Sequence, residues 1–141
     1  MTLDTHVHTR HSGNTSLWPL RQVMRESYNT PERVYALAKA RGMRGVVLKN
    51  HISETASRAA LAMKAVPGIE VFGGIVLNDA VGGINPNAVE WMHRFYGSRG
   101  KIVWLPTFES DKHVKTFGKP DARGLVVAPN GVVTPEMEAV L

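Results

Sequence analysis

Apolar residues in this chain follow two alternating patterns. Nearly unbroken apolar runs recur at Gly45 to His51, Ile69 to Leu77 and Lys101 to Leu105, and near the start Leu3-Asp4-Thr5-His6-Val7-His8 alternates from one position to the next. Unbroken runs of this length suit parallel strands covered on both faces, and alternation suits a strand with two unlike faces. Between the runs, apolar positions fall three or four apart, the spacing of one helix face. Val34, Leu37 and Ala38 form one such stripe and Val89, Met92 and Tyr96 another.

The punctuation agrees with the periods. Thr30-Pro31-Glu32 opens a helix with an N-cap, a proline at the first helical position and an acid in the first turn, and Gly42 suits its end. Ser53-Glu54 opens a second helix that runs to about Val66 and stops at Pro67-Gly68, and Asn85-Pro86 opens a third that runs to about Tyr96. Gly73-Gly74, inside the run Ile69 to Leu77, marks a bulge or a close approach by backbone or ligand. The predicted order is thus β, α, β, α, β, α, β with short connections, the signature of parallel strands joined by right-handed crossovers.

Three further segments are read from the same signals. Thr9 to Asn29 is a long polar stretch in which Leu20 to Ser27 has helical spacing, and Pro106 to Arg123 reads as a polar loop. Leu125-Val126-Val127 and Val132-Val133, around Ala128-Pro129-Asn130-Gly131, predict a β-hairpin, and Thr134-Pro135-Glu136 opens a last helix.

Composition narrows the picture only modestly. With 141 residues, 43% of them apolar, the chain fits one domain, 1–141, with a real core. A formal charge of +5 favours anionic partners in general. The basic residues are scattered and not interleaved with aromatics, so nucleic acid is not the expected partner. The absence of cysteine removes disulfides, thiolate ligands and thiol nucleophiles, so any metal is held by nitrogen and oxygen. No apolar run reaches the length of a membrane span and no signal peptide opens the chain, so a cytoplasmic protein without a membrane partner is expected.

Chemistry-bearing residues gather where parallel α/β folds build their sites, at the carboxyl ends of the strands. His6 and His8 close the first strand, Lys49 and His51 the second, and Asn78 the third; Thr107, Glu109, Asp111 and His113 follow the fourth. On an alternating strand Asp4, His6 and His8 share a face, two imidazoles with a carboxylate able to orient one of them, which is half of a divalent metal site. The plainer alternative is a pair of surface histidines on a terminal strand. Lys49 in turn reads either as a substrate-neutralising cation or as a lysine that snorkels to solvent. Glu70 falls at the amino end of its strand and belongs to the opposite rim, and His93 lies within a helix.

Asp4-x-His6-x-His8-Thr9, the helix opened by Thr30-Pro31-Glu32 and the strand ending in Lys49-Asn50-His51 resemble the amidohydrolase and polymerase-and-histidinol-phosphatase (PHP) metal-dependent hydrolases. More closely, Val46 to His51, Val71 to Asn78, Gly82 to Pro86 with Ala88-Val89-Glu90, and Val103 to Thr107 resemble an amidohydrolase-related family whose function is not established. The resemblance implies a TIM-like (β/α) barrel with one or two divalent ions, Zn, Mn or Fe, held by His6, His8 and His51. It also implies water-activating hydrolysis of a small-molecule substrate, and Lys49 with the arginines of Thr9 to Asn29 would suit an anionic one. Asp111 or His113 would serve as general acid or base. Asn50 stands where PHP enzymes usually carry Asp, a departure from their pattern. About four βα units make only part of a barrel that needs on the order of 250 residues. The expectation is therefore either the N-terminal part of a longer barrel or two copies pairing across the open edge. The alternative function is a binding module that holds a metal or anion without turnover.

Overall fold

A computed structural model of the chain describes residues 3–7, 31–118 and 123–141, with side chains placed at Leu3 and over 35–118 and 123–141. Four parallel strands form one sheet in the order β1-β2-β3-β4: β1 Leu3–Val7, β2 Gly45–Leu48, β3 Glu70–Val76 and β4 Gly100–Trp104. Helices α1 (Pro31–Ala40), α2 (Ala56–Ala65) and α3 (Pro86–Arg94) connect them in turn. The predicted alternation of strands and helices is the observed one.

All three helices cover the same face. Val46 and Val71 are register partners on adjacent strands, and both enter a buried cluster with Tyr35 and Ala38 of α1 and Ala59 of α2. Ile75 and Val103 are likewise partners, and they pack with Ala56 of α2 and Met92 of α3. A sheet whose strands follow in chain order, with every crossover on one side, is singly wound. The opposite face carries Val47 beside Phe72 and Val76 beside Trp104.

Local chemistry explains most element ends. The Asn85 side chain accepts from the Ala88 N–H at 3.1 Å with Pro86 at the first helical position, and Thr134 caps α5 (Pro135–Glu138) by accepting from the Met137 N–H at 3.2 Å. Gly42, with φ of 73°, adopts the left-handed conformation expected just past α1. Helix α3 stops at Arg94, two residues short of expectation, because Phe95 turns to an extended conformation (ψ 150°). Tyr96 is consequently 80% exposed and lies off the buried stripe.

The start of α2 differs from the prediction in an informative way. Thr55, not Ser53, occupies the cap position, and the orphan N–H groups of Ala56 and Ser57 are taken by the Glu54 carboxylate at 2.6 and 3.2 Å. The Thr55 hydroxyl is thereby released for the sheet. It donates to Leu48 O at 2.8 Å and accepts from Gly74 N at 2.8 Å, while Thr55 N donates to Gly74 O at 2.9 Å. Regular β2–β3 pairing ends at Val47–Phe72, so Thr55 sits as a polar wedge between the two strands just beyond their last rung. A Cβ on Gly73 would overlap the Thr55 and Ala56 backbone, and one on Gly74 would meet the Trp104 ring and Ile102 O. Both readings of the double glycine are therefore realised, since the β3–β4 register also shifts between Gly73 and Gly74.

Three expectations are corrected. The hairpin over 125–133 is absent. Leu125 instead forms a lone parallel bridge with Ser110, donating to Glu109 O and accepting from Asp111 N, and Pro129–Gly131 is a 3-10 turn. Those outside partners use the backbone groups a hairpin would need, while Val127 packs into the α3 side of the core. The segment 106–123 is not all loop: Asp111–Phe117 is a helix, α4, capped by Ser110. Finally, β1 does not alternate simply, because Asp4 pairs with Val46 and Val7 with Leu48, which leaves one extra residue in β1 between them. Leu20 to Ser27 lies outside the described residues.

Candidate functional site at the strand ends

The carboxyl ends of β2, β3 and β4 converge on a hydrogen-bonded cluster of His51, Asn78 and Thr107. Asn78 directly follows the Val76–Leu77 run and is 1% exposed. Its amide nitrogen donates to His51 O at 3.1 Å and to Thr107 Oγ1 at 3.0 Å, and its carbonyl oxygen accepts from Thr107 N at 2.9 Å. Thr107 Oγ1 in turn lies 2.9 Å from His51 Nδ1. His51, 6% exposed, is thus held by its backbone and by one ring nitrogen, with the Phe108 ring against its face at a 4.4 Å centroid distance.

This arrangement reduces the hydrogen-bonding question to one proton. If His51 Nδ1 carries it, Thr107 Oγ1 accepts from both His51 and Asn78, and its own proton turns toward Asn78 Oδ1 at 3.4 Å. If Nε2 carries it, Thr107 donates to Nδ1. In the first tautomer the Nε2 lone pair is the ligating one, the form adopted by metal-binding histidines whose other nitrogen is fixed by a neighbour. A metal taken by this imidazole at Nε2 requires the first tautomer, with Nδ1 donating to Thr107 Oγ1.

Lys49 projects on the same side, two residues earlier, and is also 6% exposed. Among the described residues its ammonium faces the Trp104 ring, 5.6 Å from the centroid, and meets no carboxylate. Trp104 reaches that position by lying over Gly74. Desolvation by burial pushes the Lys49 pKa below its ordinary 10.5. Asn50, between the two, uses its side-chain oxygen to accept from Ile52 N at 2.9 Å, which turns the chain away from the strand.

The remaining candidates divide. His113 lies on α4 in line with the site: its ring is 6.5 Å from Phe108 and 5.0 Å from Phe117. An open cleft of about 610 Å³ runs along this wall, lined among the described residues by Thr107, Phe108, Lys112, His113, Thr116 and Phe117. Asp111 is not part of that lining; its carboxylate pairs with Lys115 at 2.7 Å. Glu109 accepts from Asp79 N at 2.6 Å. Glu70 pairs with Arg99 at 2.5 Å at the amino end of β3, and His93 is an exposed residue of α3, so both stay away from the strand-end cluster as expected. His6 belongs to β1, whose neighbour is β2, while its side chain, Asp4's side chain and the whole of His8 and His11 lie outside the description. Among the described residues no three His, Asp or Glu side chains converge on a metal-sized site. No described helix is long and apolar enough to cross a membrane.

Sequence reading placed Asn78 and Thr107 at strand ends without a role, and it missed Phe108 and Thr55. Asn and Thr carry little signal alone; the pairing across 29 residues exists only once β3 and β4 are neighbours.

Fold and site together define a singly wound parallel βα protein with a buried polar cluster at its strand ends. Over residues 2–141 the chain matches the family of unknown function DUF6282, and it belongs to that family. No curated protein and no solved structure matches it.

Proposed function

We propose that this chain carries a metal-dependent hydrolase site on an arc of a TIM-like barrel. The observation that supports it best is the locked imidazole of His51: buried, at the carboxyl end of β2, with Nδ1 on Thr107 and Thr107 itself fixed by Asn78. Such a relay through the non-ligating nitrogen is what orients a histidine for metal. His51 Nε2 would hold the ion together with His6 on the neighbouring strand and His8 just beyond it. Sheet order supports the barrel, since singly wound parallel sheets with all helices outside are the pieces from which (β/α) barrels close.

When bound, a divalent ion supplies an activated water and polarises the scissile bond. The chain's own residues provide the rest. Asn78 and Thr107 hold the His51 ring against rotation. Lys49, desolvated over Trp104, offers its charge to the negative group of an anionic small-molecule substrate. Of the two acid–base candidates, His113 is favoured because it lines the cleft beside Phe108, whereas Asp111 is tied to Lys115.

The test is metal content of protein purified without a polyhistidine tag, followed by an ester and phosphoester panel. Near-stoichiometric Zn, Mn or Fe is expected, lost on His51→Ala and on the His6→Ala, His8→Ala pair, with hydrolysis lost alongside. A folded protein that takes up no metal from solutions of these ions, or one whose metal survives all three substitutions, refutes the reading.

A further inference from the structure

The cleft along α4 contains more than a spare acid or base. Its wall is a series of rings, Phe108, His113 and Phe117, that begins at the His51 ring itself. Phe117, 76% exposed at the end of α4, sets its ring against that of His113 at a 5.0 Å centroid distance. The cleft's hydroxyls are turned inward: Ser110 Oγ donates to Thr107 O at 2.7 Å, Thr116 Oγ1 donates to Lys112 O at 2.8 Å, and Thr107 Oγ1 serves His51 and Asn78. The charged group left at the rim is Lys112. Among the described residues it has no carboxylate partner, whereas Lys115, three residues on, is paired with Asp111. The His113 ring on the same wall offers an N–H donor. A wall of tilted and edge-on rings beside a lysine that meets no carboxylate among the described residues complements a planar ring that carries a negative charge.

We infer that the cleft between Phe108 and Phe117 binds an anionic aromatic compound, its ring on the Phe108–His113–Phe117 wall and its negative group at Lys112. Phe108 and Thr107 belong both to this wall and to the His51 cluster, so a ring seated here places its substituent toward the strand ends. Calling that compound the substrate rests on the hydrolase reading; its binding does not.

The experiment titrates 2-naphthoate into EDTA-treated protein, following the His113 ring protons and backbone amides of 107–117 by NMR. Binding in the range of about 1 mM or tighter is expected for a ligand of this size. Phe117→Ala should weaken it about fivefold, the value of one aromatic pair, and Lys112→Gln about threefold with a flatter salt dependence. Both side chains are exposed, so neither change threatens folding. Trp91→Ala, which removes an exposed ring elsewhere on the surface, should leave affinity unchanged. No shift at millimolar 2-naphthoate overturns the inference. So does equal binding of cyclohexanecarboxylate, or affinity indifferent to both cleft substitutions. Binding to metal-free protein together with failure of every hydrolysis assay would leave this inference standing and remove the hydrolase reading.

Discussion

Replacing Thr55 by valine isolates the wedge between β2 and β3. The new side chain has nearly the same shape, so the methyl contacts survive and only the hydroxyl is lost. At 1% exposure no water replaces it, leaving Gly74 N without its acceptor and Leu48 O without this donor. Each buried orphan costs about 1–3 kcal/mol, so the pair costs roughly 2–6 kcal/mol. For a chain of this size about 3 °C of melting temperature accompanies each kcal/mol, which gives a drop of roughly 6–18 °C. Thr55→Ser keeps both hydrogen bonds and loses one methyl, a cost of about 1 kcal/mol. Thermal and urea unfolding followed by circular dichroism compares the three proteins, and hydrogen exchange at the Gly74 amide reads the wedge directly. The expected order is Thr, then Ser, then Val, with Gly74 exchange accelerated only in the valine variant. A valine protein as stable as the parent, or a serine protein as damaged as the valine one, would refute the assignment of these bonds.

Other outcomes follow from the same geometry. Gly73→Ala drives a Cβ into the Thr55–Ala56 backbone, so soluble yield and unfolding midpoint should fall further than for any conservative change nearby, whereas Gly42→Ala, with open space around its Cβ, should cost only its left-handed φ, about 1 kcal/mol. Asn78→Asp keeps an acceptor for Thr107 N but turns a carboxylate oxygen toward His51 O and Thr107 Oγ1. A loss of about 1–3 kcal/mol is expected in urea unfolding, with a changed ¹⁵N tautomer signature at His51, and an unaltered signature would count against the relay. Lys49→Met should stabilise the fold at neutral pH. The folded-state pKa lies below the ordinary 10.5, so the buried charge costs stability at every pH below the folded value, and the cost fades as pH climbs toward 10.5. The Met advantage should therefore shrink between neutral and strongly alkaline pH, and an advantage that grows with pH would reverse the sign of the argument.

What the chain determines by itself is local. Asn85-Pro86 and Thr134-Pro135 announce their helices because an N-cap is completed within three residues, and the unbroken run Gly45–Leu48 announces a strand buried on both faces, as all four residues are. The helix Asp111–Phe117 was not expected from a segment read as a polar loop, because Val114 and Phe117 are too few apolar positions to show a period. The hairpin failed for the opposite reason: its turn residues are real, with Asn130 and Gly131 at positive φ, but Ser110 and Glu109 take up Leu125 from elsewhere in the chain. Tertiary structure alone decided that the three connecting helices cover one face, that Thr55 replaces a rung of the sheet, and that Asn78 and Thr107 close on His51. These are pairings across 19 to 56 residues, and side chains as common as Asn and Thr carry no spacing that encodes such partners. The sequence could place His51 at a strand end; only the packed sheet could supply the neighbours that fix its ring.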